Sequence, residues 1–136
     1  MMPSQSIKYV CAITTMSLAF LVSACEAPER PNAAPSAYLG ISTRLLKDDL
    51  VGFQVIMQNA TATAQLEAYA RCAAAQYALI RGYGFARHVR TTVSSDASMW
   101  TGDAIYVISA TLPRGVATID AEVTVAACRE MDIPTV

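Results

Sequence analysis

Between Ala62 and Arg81 the residues Leu66, Tyr69, Ala70, Ala73, Tyr77 and Ile80 recur at steps of three and four. That period places them on one face of an α-helix. The segments around it alternate instead. Val51, Phe53, Val55 and Met57 share one parity of Asp49–Gln58, Phe85–Val93 alternates, and Ala104–Leu112 and Val116–Val125 follow. Alternation makes strands with one buried face. A lone helix with an apolar face among such strands has one economical solution, which is to lie on the sheet. The expected fold is α+β: a two-layer sandwich with one long helix on a mainly antiparallel sheet, in the order βαβββ.

Local chemistry fits that order. Asn59 or Thr61 can cap the helix start through a side-chain oxygen. Gly82 and Gly84 mark its end, with Arg81 at the negative end of the dipole. Glu67 and Arg71 are four apart on the helix side away from the buried face, in the order that favours an ion pair. Ser94–Gly102 reads as a long turn-rich loop and Pro113-Arg114-Gly115 as a tight turn. In the last strand Ala117, Ile119, Ala121, Val123 and Val125 face inward, and Thr118, Asp120, Glu122 and Thr124 face outward.

The first residues carry a different message. Met1–Ala24 holds one charge, Lys8, before an apolar run from Tyr9 to Val22. The run is of signal-peptide length and short of the roughly twenty residues that span a bilayer. It ends in Leu21-Val22-Ser23-Ala24-Cys25, which resembles the lipobox of bacterial lipoproteins, with Val22 a mild departure from the commoner leucine. The resemblance implies a diacylglyceryl group on the Cys25 sulfur, cleavage after Ala24, and an anchor of two or three acyl chains in the cell envelope, facing the periplasm. Glu26 is not the aspartate that marks inner-membrane retention in enteric bacteria, so the outer membrane is mildly favoured. The expected organisation is a signal peptide at 1–24, a Pro/Ala-rich tether at 25–37 and a single α+β domain at 38–136. The later part resembles small envelope lipoproteins of Gram-negative bacteria with one helix on a short sheet and a helix-to-strand cysteine pair. No defined motif accompanies that likeness, so it assigns no functional residue.

Without residues 1–24 the chain keeps nine Lys/Arg against eleven Asp/Glu, a net charge of −2. So weak a field argues against nucleic-acid binding and against a polybasic membrane patch. Cys11 leaves with the signal peptide and Cys25 takes lipid, which leaves Cys72 and Cys128. An oxidising periplasm favours a disulfide between them. Two free buried thiols or half a metal site are the alternatives, although no second His or Cys cluster completes a zinc tetrahedron. Strict alternation puts Cys128 on the polar parity, so the bond requires the last strand to end or bulge at Ala126-Ala127.

Candidate sites are few. Asp120 and Glu122, two apart on one strand, would hold carboxylates about 6–7 Å apart, near the spacing of glycosidase pairs. They alternate with threonines, however, as a solvated face does. His88, the only histidine, shares a parity with Ala86, Arg90 and Thr92 on the expected solvent side and has no nucleophile motif beside it. No catalytic residue, metal or cofactor is assigned. Arg87 and Arg90, with Arg81 and His88, form a positive patch for an anionic envelope component, or serve solubility alone. Trp100 in the expected loop is a partner contact, or folds back over a sheet edge. Asn59-Ala60-Thr61 matches a glycosylation sequon, for which a helix cap is the bacterial explanation. The expected function is a non-enzymatic binding or assembly module that meets an envelope protein or cell-wall component. A small hydrolase or transferase on envelope glycans or lipids, using Asp120/Glu122 or His88, is the alternative. A small-molecule binder would need a cavity that the Ala-rich packing does not advertise.

Overall fold

The computed structural model describes residues 34–136; the expected signal peptide, Cys25 and most of the expected tether lie outside them. The elements are β1 (Ala37–Lys47), β2 (Leu50–Gln58), α1 (Thr63–Ile80), β3 (Phe85–Asp96), β4 (Met99–Ser109), β5 (Thr118–Asp120) and α2 (Ala121–Glu130). The strands form one antiparallel sheet in the order β1-β2-β4-β3-β5. The class is α+β, with five strands and two helices. The connection from β2 through α1 to β3 leaves a gap of one strand, which β4 fills, so the centre is a split βαβ unit.

Helix α1 lays Leu66, Tyr69, Ala70, Ala73 and Ala74 over Val51, Phe53, Val55 and Met57 of β2 and Ala104, Tyr106 and Ile108 of β4, all of them buried. Gly102 allows the close approach. A Cβ built there would stand 3.0 Å from Val55 Cγ2 and 3.3 Å from the Leu66 side chain. The helix ends in a Schellman motif: Tyr83 N–H donates to Ala78 O and Gly82 N–H to Leu79 O, with Gly82 at φ 79°. The start differs from expectation. Ala62 is the N-cap and offers no side-chain oxygen. Gln65 Oε1 reaches back instead, accepting from Thr61 N–H at 2.6 Å. Asn59 is engaged elsewhere, its amide donating to Pro35 O at 3.3 Å.

Three further expectations are corrected. First, β1 precedes the expected first strand, and its register shifts between Tyr38 and Gly40 and between Leu45 and Lys47 blur the alternation. Second, Ser94–Gly102 is a hairpin and not a long loop. β3 and β4 pair out to Asp96↔Met99 around Ala97-Ser98, with Ala97 at φ 51°. A shift between His88 and Arg90 also leaves Val89 unpaired. That bulge reverses parity, so Ala86 and His88 face α1 while Arg90 and Thr92 face away. Third, the last strand stops at Asp120 and the chain turns into α2. Asp120 is its N-cap and accepts from Val123 N–H at 3.1 Å.

The helical turn resolves the cysteine parity. In α2 the buried residues are Ala121, Val125 and Cys128, a four-then-three step, and Val123 is 68% exposed. Cys128 thus faces α1, and the Cys72–Cys128 disulfide joins helix to helix across a Cα–Cα distance of 5.9 Å. Among the described residues, the one ion pair is Arg44–Asp103, at 3.4 Å on the sheet face away from α1. Glu67 and Arg71 do not pair with each other.

Candidate functional site

A cleft of about 480 Å³ opens between α1 and the β5 edge, lined on the helix by Ala64, Glu67, Ala68 and Arg71. His88 and Tyr106 form its floor, and Ala117, Thr118 and Ile119 its far wall. The four helix residues sit at steps of three, four and seven, one stripe along one flank. The alanines leave the space. Glu67 and Arg71 place opposite charges one turn apart on its rim, about 5–6 Å between their Cβ atoms. The far wall is held by backbone pairing: Thr118 lies across from Arg87, Ile119 from Ala86, and His88 N–H donates to Ala117 O at 3.0 Å.

The polar groups of the floor have defined surroundings. Tyr106 is nearly buried, 3% exposed. Burial pushes its phenol up to about 12, with Arg71 pulling it down and Glu67 adding a smaller upward push. It therefore stays a neutral hydrogen-bond donor at any physiological pH. The His88 ring lies 5.1 Å from the Tyr106 ring, and its Nε2 is 2.8 Å from Thr91 Oγ1. Thr118 Oγ1 is buried and has no hydrogen-bond partner, but Thr118 lies across from Arg87, which puts its hydroxyl on the sheet face away from Tyr106. The cleft thus offers one cation, one carboxylate, a neutral phenol and an imidazole against alanine and isoleucine walls. Among the described residues no group of three or more His, Cys, Asp or Glu side chains could hold a metal.

Of the candidate site residues named in the sequence, only His88 reaches this cleft, and the Val89 bulge sets it on the opposite sheet face from Arg90. Asp120 and Glu122 are not neighbours on a strand face. One caps α2 and the other stands in its first turn, so the paired-carboxylate geometry does not form. Trp100 is in β4, across from Met57 and Ser95, half-buried against the core. Arg87 and Arg90 lie across from Val107 and Ile105, which puts them on the opposite sheet face from Tyr106 and the cleft. A Cβ at Gly115 would stand 3.7 Å from Arg87 Cδ, so the β4–β5 loop lies beside that side chain. The structure therefore does not gather Trp100, Arg87 and Arg90 into one surface. Sequence reasoning passed over Tyr106, and it read Glu67 and Arg71 as a surface ion pair instead of as site residues. The signal for them was the stripe Ala64, Glu67, Ala68, Arg71, too small in its apolar members to register as a face.

Among the described residues no helix is long and apolar enough to cross a membrane. No curated protein and no solved structure matches the chain. The family model described as the YNQ4 C-terminal domain matches residues 38–132, from the start of the sheet to just past α2. That is well over half of the chain, and the chain belongs to this family.

Proposed function

We propose that this chain is a lipid-anchored module of the bacterial envelope that binds a ligand in the cleft between α1 and β5. The observation that carries the proposal is the cleft itself. Its volume falls in the range of ligand sites, and a few polar groups converge on largely apolar walls, the usual make-up of such a site. The anchor rests on the likeness of Leu21–Cys25 to a lipobox, with the outer membrane favoured by Glu26. Arg87 and Arg90 belong to a separate proposed contact with an anionic envelope component, and Trp100 to a proposed protein contact at the hairpin end.

Two measurements test this. Intact mass spectrometry of the membrane-extracted protein reads cleavage after Ala24 and acylation of Cys25 together; an unacylated chain that keeps residues 1–24 refutes the anchor. Titration of the detergent-solubilised full chain with peptidoglycan fragments and phospholipid headgroups reads the cleft. Binding should weaken at least tenfold in Arg71→Ala, a loss of about 1.4 kcal/mol. It should hold in Arg90→Ala, which faces away from the cleft. A second reading, a hydrolase or transferase on envelope glycans or lipids, is favoured by the place of His88 on the cleft floor. His88→Gln separates the two: a binder keeps its ligand and has no turnover to lose, whereas an enzyme loses turnover.

A further inference from the structure

We infer that the ligand of this cleft is an extended peptide that adds to the free edge of β3 as a strand, an inference that rests on the binding reading above. Strand β3 pairs with β4 on both sides of the Val89 bulge, out to Asp96↔Met99. On its other edge, β5 pairs only with Phe85, Ala86 and Arg87, and the last bond is His88 N–H to Ala117 O. From Val89 to Asp96 that edge has no strand partner among the described residues. The cleft begins where β5 stops, floored by His88 and walled by Ala117 and Thr118. An extended segment entering it continues the track of β5 beside residues already extended and half satisfied.

Strand addition draws affinity from main-chain hydrogen bonds and specificity from alternate side chains. Both are provided here. The backbone groups of a strand with one free edge are the donors and acceptors. Side chains pointing toward α1 meet Glu67 and Arg71, charges of opposite sign one turn apart, which select a peptide carrying a basic and an acidic residue. The other edge of the sheet, β1, is broken by two register shifts. The single bulge at Val89 and the charges at Arg90 and Asp96 guard the β3 edge against a second copy of the flat strand. The α1 flank admits a peptide chosen by charge.

The test uses the detergent-solubilised full chain and displayed random heptapeptides. Selected peptides are then synthesised and their binding followed by hydrogen exchange. The expected result is that the amides of Val89–Asp96 on the free edge, those not already bonded to β4, gain protection by about tenfold or more, that selected peptides carry both charge signs, and that Ala68→Trp, which fills the cleft from its rim, abolishes binding. Protection confined to α1 and β5 overturns strand addition and leaves the cleft a ligand site. Binding of muropeptides or headgroups but of no heptapeptide does the same. Peptide binding undiminished in Ala68→Trp, with that variant's unfolding midpoint unchanged, overturns the cleft reading as well.

Discussion

Cys72 is 0% and Cys128 1% exposed, and 56 residues separate them. Replacing both with alanine frees the unfolded chain and leaves the folded contacts nearly intact. On the chain-entropy model, a ring of that size lowers the entropy of the unfolded state enough to stabilise the fold by about 4 kcal/mol at 25 °C. That is a large share of the 5–15 kcal/mol that a domain commands. The assay is urea unfolding of the full chain and of Cys72→Ala/Cys128→Ala, followed by Trp100 fluorescence and far-UV dichroism. The expected outcome is a fall of about 4 kcal/mol and a larger m, because an unlinked unfolded chain exposes more surface. A second expectation separates mechanism from mere loss. Since both sulfurs are shielded, the native bond should resist reductant until urea opens the fold, and reduction should track the unfolding midpoint. A loss below about 1 kcal/mol with unchanged m would refute the reasoning, because it would mean that the unfolded chain is already confined without the bond.

Other outcomes follow from single contacts. Gly102→Ala forces a methyl to 3.0 Å from Val55 Cγ2 and should cost about 1–3 kcal/mol in urea unfolding; a neutral effect would show that α1 lifts freely. Asp120→Ala removes the cap bond to Val123 N–H and should cost about 1 kcal/mol, with faster hydrogen exchange confined to the first turn of α2. Tyr106 keeps its proton in the fold to about 12, against an ordinary value of 10.0. Because the folded state holds that proton more tightly, its stabilisation is full below pH 10 and is lost as pH rises toward 12. Tyr106→Phe should flatten the alkaline fall in stability, read from urea midpoints between pH 9 and 12; an equal fall in both proteins sinks the assignment.

Much of the centre of this fold is legible in the sequence because its residues obey a single period. Leu66, Tyr69, Ala70 and Ala73 repeat as a helix and Val51, Phe53, Val55 and Met57 as a strand, and both stand where their periods place them. The errors fall where one residue breaks the count. Val89 is such a residue: its bulge turns His88 from the expected solvent side toward Tyr106. In β1 two register shifts hide an eleven-residue strand. The run from Ala117 to Val125 alternates well enough for a strand, and periodicity alone does not separate that from a short helix. Asp120 as a cap, with Ala121, Val125 and Cys128 at helical steps, decides it. The cleft was illegible for another reason. Concavity comes from small residues, and Ala64 and Ala68 look in a sequence like ordinary helix formers.

The disulfide has a second consequence through its position in the wall plan of the cleft. One wall is α1. The other is β5, which passes into α2 at Asp120 without an intervening loop. Cys72 lies on the first of these elements and Cys128 on the continuation of the second. The covalent path from wall to wall therefore runs through the sulfur bridge and one short helix. It acts as a gauge that sets the width of the opening, so the proposed ligand would meet a gap preset before it arrives and spend less of its binding energy on ordering the protein. In a reduced chain the same walls would be tied only by packing. The bond thus fixes the spacing of the two walls as well as strengthening the fold.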